Sequence, residues 1–307
     1  MKTKGRFLAA VLTLLSATAW AQTVYVGNAK FVQPIVEKLI SEYAKENPQS
    51  HITLSNEETA NNAAIFIVAQ PTDTRGRVVY VGKYALLPVS NVKNPLIVQA
   101  GKGLKKSDLS KLFFEQVLED EDDEEAGGYY RKEKEKYTAT VYARQGAVST
   151  SITLATAYNA TPERLRGKKI IGDDIHLVSA VQRDETGIAF NTLNYVFDTE
   201  SRQLKQNVAI LPIHAGAKLS KSLQSNNIDA IISILEDTDI EQIPVSRYGL
   251  QVPETLSRNA DVQHFVQWVL AHSAQFNHEY GFLNLSNKES AEQQTRLELL
   301  YQSAFTQ

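Results

Sequence analysis

The stretch TVYVGNAKFVQPIVEKLISEYAKENPQSHITL, residues 23–54, decides the fold class of this chain. It opens with a short β-rich run and a glycine-containing loop. Apolar residues then recur at helical spacing up to Tyr43, with Pro34 in the first turn, where its missing N–H removes no hydrogen bond. Pro48 ends the helix, and residues 51–54 are the next predicted strand. Strand, helix and strand in this order are typical of an α/β fold with parallel pairing.

The same alternation continues along the chain. Residues 63–69 (AAIFIVA) form a continuous apolar run bounded by turn residues, as expected of a strand that is covered on both faces. Further strands are predicted at residues 78–81, 84–89, 137–143, 188–191, 208–213 and 245–252. Helices are predicted at residues 107–118, 148–158 and 262–276, a turn at Gly172-Asp173-Asp174 precedes another helix, and residues 228–235 fit either type. The sequence therefore predicts an α/β fold with largely parallel sheets.

The N-terminal 21 residues have the pattern of a secretory signal peptide. A basic start precedes a mostly apolar run at residues 7–19, which is too short to span a bilayer as a mature helix, and Ala19-Trp20-Ala21 has the small-x-small pattern of a cleavage site. The mature protein is then expected to begin near Gln22 and to be periplasmic or secreted. An amphipathic N-terminal helix of a cytoplasmic protein is the alternative interpretation.

Charge and cysteine content narrow the function classes. The chain carries 32 basic and 35 acidic residues; without the three basic residues of the predicted signal peptide, 29 face 35, a net charge of −6. This argues against a nucleic-acid binder, which normally presents a basic face. The chain has no cysteine, which excludes thiol chemistry and a lipid anchor on cysteine. No apolar stretch of roughly 18 residues follows the signal peptide, so no membrane insertion is predicted.

A charged segment at residues 119–136 interrupts the pattern. It begins with a run of acidic residues, 119–125, and ends with alternating Lys and Glu. A calcium loop needs ligands at alternating positions around a glycine turn, and this run lacks that spacing. Because blocks of like charge repel and stay hydrated, the segment is predicted to be a solvated insertion.

Two loops have the composition of ligand-binding loops. Residues 27–31 and residues 144–151 each lie between a predicted strand and a predicted helix, at the carboxyl end of the strand, where open α/β sheets bind ligands. The second loop combines Arg144, a glycine and three hydroxyl residues at a helix start. Free backbone N–H groups, the helix dipole and a forked guanidinium suit a small oxyanion. Ser and Thr also cap ordinary helices, so a purely structural role for these hydroxyls remains the alternative.

Several short motifs add a family resemblance through their order and spacing. They are GNAKFVQP at 27–34, NP at 47–48 followed by HI at 51–52, LPV at 87–89, NP at 94–95, LSKLFF at 109–114, VYAR at 141–144, GIAF at 187–190, the apolar helix at 262–270 and YGFLNL at 280–285. Together they cover nearly the whole mature chain. They resemble the phosphate-binding substrate-binding proteins of ABC transporters, within the type 2 periplasmic binding protein class.

The resemblance implies two α/β lobes, each a mixed, mostly parallel sheet flanked by helices, joined by crossing strands and closing around a ligand by a hinge motion. The first lobe would comprise residues 22–86 and 244–307, and the second residues 87–243 with the charged insertion. The residues that the resemblance assigns to the ligand site are Asn28, Ala29, Lys30, Phe31, Ser55, Gln70, Arg144, Val148, Ser149 and Thr150.

This chain departs from the family's pattern at three of those positions. Val148 replaces the first serine of the family's Ser-Gly-Thr run, Lys30 replaces a hydroxyl, and Gln70 falls near the aspartate that accepts the proton of phosphate. Arg144 and Thr150 match. Without a carboxylate acceptor, discrimination of phosphate from sulfate would be lost, because that discrimination depends on a site that pairs with the ligand's O–H.

The sequence therefore predicts an exported solute-binding protein that captures a small oxyanion and delivers it to an ABC transporter permease. Phosphate is the first candidate for this oxyanion. No cofactor and no metal are predicted. A binding-protein fold that has lost transport and acts as an extracytoplasmic scaffold or sensor is the alternative, because a fold does not fix a function. An enzyme is not predicted. There is no G-x-S-x-G motif, and His264 and His272 have no acidic partner in a metal-ligand pattern.

Overall fold

The computed structural model describes residues 22–27, 29–55, 63–69, 77–115, 137–254 and 259–303. The strands in these ranges are β1 Gln22–Tyr25, β2 Ile52–Leu54, β3 Ile65–Val68, β4 Val78–Asn91, β5 Thr140–Arg144, β6 Lys168–Ile170, β7 Gly187–Thr192, β8 Val208–Ile210 and β9 Val245–Gln251. The α-helices are α1 Gln33–Glu46, α2 Leu96–Gln99, α3 Lys106–Phe113, α4 Ser149–Ala157, α5 Ile175–Arg183, α6 Leu193–Val196, α7 Ala217–Gln224, α8 Ile228–Asp237, α9 Ala260–His272 and α10 Asn287–Ser303. The predicted signal peptide and the charged insertion lie outside the described residues.

One sheet runs through the molecule in the order β2-β1-β3-β9-β4-β7-β5-β6, and β8 pairs with β4. Strands β1, β2 and β3 are parallel to one another, as are β5, β6 and β7. The central pairs β3·β9, β9·β4 and β4·β7 are antiparallel. We call β1–β3 with α1, α9 and α10 the first lobe, and β5–β7 with α3–α8 the second lobe; β4 and β9 join them.

The 14-residue strand β4 belongs to both lobes. Its sequence VVYVGKYALLPVSN is rich in β-branched and aromatic residues, and nearly every position is buried, as expected of a strand covered on both faces. The stretch up to Ala85 pairs with β9, and the stretch from Leu86 pairs with β7. The prediction of two separate strands here is wrong. A register shift between Tyr80 and Gly82 lets one strand continue past the interruption.

Helix packing follows the apolar faces that the sequence predicts. Helix α1 buries Ile35, Leu39 and Tyr43 on one side. The ring of Tyr43 packs against Phe265 and Trp268 of α9, with ring centroids 5.0 and 5.5 Å apart. Large aromatic contacts of this kind contribute much of the apolar burial that stabilises a domain. Packing between α1 and α9 therefore helps to stabilise the first lobe.

The structure corrects the bounds of one predicted helix and decides the type of another element. Helix α3 is shorter than predicted and is not capped by Ser107; it begins at Lys106, and the carboxylate of Asp108 accepts the backbone N–H of Lys105 at 3.0 Å. Residues 228–235 are helical, because Asn227 accepts from the first-turn amides of α8. Among the described residues, no helix is long and apolar enough to cross a membrane.

Candidate functional site

The candidate site lies at the carboxyl edge of the second lobe's parallel strands. Because β5, β6 and β7 run in the same direction, their carboxyl ends meet at one edge of the sheet. Each is followed by a helix: α4 after β5, α5 after β6 and α6 after β7. This edge is where open α/β sheets bind ligands. It brings together Arg144, Asp174 and Asn191.

The first turn of α4 holds unused hydrogen-bond donors. Among the described residues, none accepts a hydrogen bond from the backbone N–H of Ser149, Thr150 or Ser151. The hydroxyl of Ser151 accepts the N–H of Val148 at 3.0 Å and contacts the carbonyl of Gly146 at 2.7 Å, so it is used within the turn. The N–H groups at a helix start carry partial positive charge and suit an anion.

Arg144 lies beside an internal carboxylate. Its Nε is 3.3 Å from Asp174 Oδ1, and the two side chains are only 11% and 7% exposed. Nε is nevertheless buried, and no group in the described part of the chain accepts a hydrogen bond from it. The hydroxyl of Thr150 donates to the same Asp174 oxygen at 2.8 Å. Two of the predicted ligand residues, Arg144 and Thr150, therefore face a carboxylate that the chain itself supplies.

The position of Asp174 is fixed by the end of β7. The Nδ2 of Asn191 donates to the backbone carbonyl of Asp174 at 2.7 Å, and Asn191 is buried. Burial raises the pKa of Asp174 to about 6, while the charge of Arg144 and the hydrogen bond from Thr150 act to lower it. Asp174 thus changes charge near neutral pH.

A small cavity lies behind the first turn of α4. Its volume is about 20 Å³, and Arg144, Thr150 and Ser151 line it together with apolar side chains that include Leu154 and Phe190. A space of this size holds about one water molecule. The cavity is inside the second lobe and is too small for a solute.

The first-lobe residues of the predicted site lie at the matching edge of the other parallel set. Ala29 and Phe31 follow β1 and are buried, whereas Lys30 is exposed. Ser55 follows β2 and donates its N–H to the carbonyl of Val24 at 2.8 Å. Asn28 and Gln70 lie outside the described residues.

Two hydrogen-bonded contacts bring the edges of the two lobes together. The hydroxyl of Tyr84 in β4 donates to the carbonyl of Ala69 at 2.9 Å and lies 2.7 Å from the hydroxyl of Thr153 in α4. The Nδ2 of Asn194 in α6 donates to the carbonyl of Phe31 at 2.7 Å. The loop after β1 and the start of α4 therefore lie on the same side of the molecule, with the ring of Tyr84 between them.

Sequence reasoning missed four residues at this place: Asp174, Asn191, Tyr84 and Asn194. Asp174 was noted only as part of a turn. The available signal was its position in the turn Gly172-Asp173-Asp174, directly before a predicted helix; strand β6, which precedes this turn, was not predicted. The other three lie inside strands or a short helix, where a polar residue gives no local signal.

Comparison with known proteins supports the fold. No family model matches the chain, and no curated protein matches it by sequence. Among solved structures, a Clostridium perfringens protein assigned as a phosphate ABC transporter substrate-binding protein, solved with bound phosphate, aligns with a TM-score of 0.58 at 12% identity, over 87% of this chain and 100% of its own. An ABC-type phosphate transport receptor from Vibrio cholerae aligns with a TM-score of 0.54 at 14% identity, over 86% of this chain and 100% of its own.

A third structure, a possible phosphate-binding protein from Planctomyces limnophilus, aligns with a TM-score of 0.51 at 14% identity, over 91% of this chain and 98% of its own. At these identities the likeness establishes the fold and no more. The chain has the two-lobed α/β fold of the type 2 periplasmic binding proteins, as the sequence predicts.

Proposed function

We propose that this protein is an exported, non-enzymatic solute-binding protein that captures a small oxyanion at the start of α4, between the two lobes. The observation that carries the proposal is the group of unused donors at one place. Among the described residues, none accepts a hydrogen bond from the buried Nε of Arg144 or from the N–H groups of Ser149, Thr150 and Ser151. Buried donors of this kind are costly unless a ligand or water accepts from them.

Phosphate is the first anion to test. The three structures compared above are named for phosphate, and one of them holds it. Delivery to an ABC transporter is proposed from the same likeness and from the motifs around Arg144. Export to the periplasm is proposed from the signal-peptide pattern of the first 21 residues.

Replacement of Arg144 tests the site. We expect Arg144→Ala to weaken phosphate binding by at least about 100-fold, because a charged hydrogen bond is worth about 1.5–3 kcal/mol and Arg144 offers more than one. Titration calorimetry measures the affinity. Arg183→Ala is the matched control: Arg183 is exposed at the far end of α5, and its removal should leave binding unchanged. Full affinity in Arg144→Ala would remove Arg144 from the site.

A scaffold or sensor without a small ligand is the second candidate. It is favoured by the contacts that already join the lobes, Tyr84 to Ala69 and Thr153, and Asn194 to Phe31. A melting-temperature scan with phosphate, sulfate, molybdate and organic phosphates separates the two candidates, because a ligand that binds only the folded protein raises the melting temperature. No shift with any of them would favour the scaffold.

A further inference from the structure

The candidate anion site already contains an anion. Asp174 lies 3.3 Å from the Nε of Arg144 and accepts the hydroxyl of Thr150 at 2.8 Å, and the residue is only 5% exposed. A buried carboxylate beside a guanidinium is the chemistry that a bound oxyanion would offer. Asp174 therefore takes up the hydroxyl donor of Thr150 and lies beside the charge of Arg144, two features that a ligand would use.

Two consequences follow from this arrangement. The single hydroxyl proton of Thr150 is donated to Asp174, so it is not available to a second acceptor. An incoming oxyanion would also sit close to the Asp174 carboxylate in a poorly hydrated place, where like charges repel strongly. The hydrogen bond from Asn191 to the backbone carbonyl of Asp174 helps to keep the residue at this place.

We infer that Asp174 is a built-in competitor for the anion site, and that binding of an oxyanion at Arg144 is accompanied by protonation of Asp174. The inference rests on the proposed function. One proton passes from solvent to a carboxylate oxygen of Asp174. Arg144 and Thr150 then no longer have an ionised partner, and the bound anion supplies the negative charge instead. Affinity is then set by pH as well as by contacts.

The groups around Asp174 point to it as the one that titrates. They are Arg144 on β5, Asp173 in the same turn, Tyr195 on α6 and Tyr84 on β4. Burial raises the pKa of both tyrosines, so they stay neutral at physiological pH. Asp173 is a partner of the Tyr195 hydroxyl. Asp174 is the carboxyl group whose pKa burial raises to about 6.

Calorimetry on the whole mature protein tests the inference. Phosphate is titrated into wild type and Asp174→Asn from pH 5 to pH 8, in buffers with different ionisation enthalpies, so that protons taken up per phosphate are counted. We expect wild type to take up about one proton more than Asp174→Asn at pH 7–8. Above pH 6 the affinity of wild type relative to the variant should fall by up to about tenfold per pH unit. Protons exchanged by phosphate itself are the same for wild type and variant, so they cancel in the difference between the two proteins.

Asp173→Asn is the matched control, because it removes the neighbouring carboxylate and leaves the partner of Arg144 in place; it should keep the extra proton. Equal proton uptake in wild type and Asp174→Asn would overturn the inference and leave the proposed function intact. No binding by any variant at pH 5 would overturn the proposed function. If Asp174→Asn did not fold, proton uptake by wild type would be the test. Phosphate binding to wild type at pH 8 without proton uptake would contradict the inference.

Discussion

Asp174 carries a carboxylate that is almost fully shielded from water. Desolvation of the charged form outweighs the attraction of Arg144 and the hydrogen bond from Thr150, so the pKa of Asp174 rises from 3.8 to about 6. A buried ion pair of this kind is weak evidence for stability. Its position at the edge where open α/β sheets bind ligands fits a role in the site.

The raised pKa makes folding stability depend on pH. The folded protein binds a proton at Asp174 up to about pH 6 and the unfolded chain only up to about 3.8, so the stabilisation is fully present below pH 3.8 and is lost as the pH rises from there through about 6. We expect the free energy of unfolding of wild type, relative to Asp174→Asn, to fall by about 2 kcal/mol between pH 4 and pH 7. Urea unfolding of both proteins measures it. Parallel pH curves would contradict the raised pKa.

The sequence indicated part of this site. Arg144, Ser149 and Thr150 were predicted from one local pattern, a strand end followed by hydroxyls at a helix start, and in the structure Arg144 and Thr150 lie beside the same oxygen of Asp174. Asp174 is 30 residues away in the sequence, and nothing local shows that β5 and β6 are neighbours. Strand order is decided by tertiary packing, so a pair formed across two strand ends is not visible in the sequence.

At the scale of elements, the close pairing of β4 and β9 holds the lobes together. Gly249 of β9 pairs with Tyr80, and a Cβ at Gly249 would lie 2.3 Å from the carbonyl oxygen of Val79. We expect Gly249→Ala to destabilise the protein by about 1–3 kcal/mol, because backbone must move to admit the methyl group. Chemical denaturation measures the change.

Gly216→Ala is the control for that substitution. Gly216 precedes α7 with a φ of −57°, and a Cβ there would meet nothing within 4 Å. Its effect should stay below about 1 kcal/mol, since only a capping preference changes. Similar losses in the two variants would mean that the close approach at Gly249 has no special cost.

Element types were predictable and their extent was not. The periodicity of α1 and the apolar run of β3 are strong local signals. The continuity of β4 was missed because Gly82 and Lys83 break the apolar run, while the structure accommodates them with a register shift beside Tyr248. Such irregularities depend on the partner strand, which a local pattern does not contain.

For the whole molecule, a single sheet joins two lobes that the sequence assigned to separate domains. The division near residue 86 was inferred from a family resemblance, and β4 changes partner there, from β9 to β7. Because β4 belongs to both halves, neither lobe has a complete sheet without the other. The two lobes are therefore expected to unfold together.

Tyr84 provides the test at this scale. Its hydroxyl joins the carbonyl of Ala69 in the first lobe to Thr153 in the second, and the side chain is buried. We expect Tyr84→Phe to lower the stability of the whole protein by about 1–3 kcal/mol, since two buried polar groups lose a partner. Calorimetry should show one transition in both proteins, with equal calorimetric and van't Hoff enthalpies, shifted as a unit in the variant.

Tyr280→Phe is the control, because the Tyr280 hydroxyl makes no hydrogen bond to a described residue. Two resolved transitions in Tyr84→Phe would mean that the hydroxyl, and not the shared strand, couples the lobes.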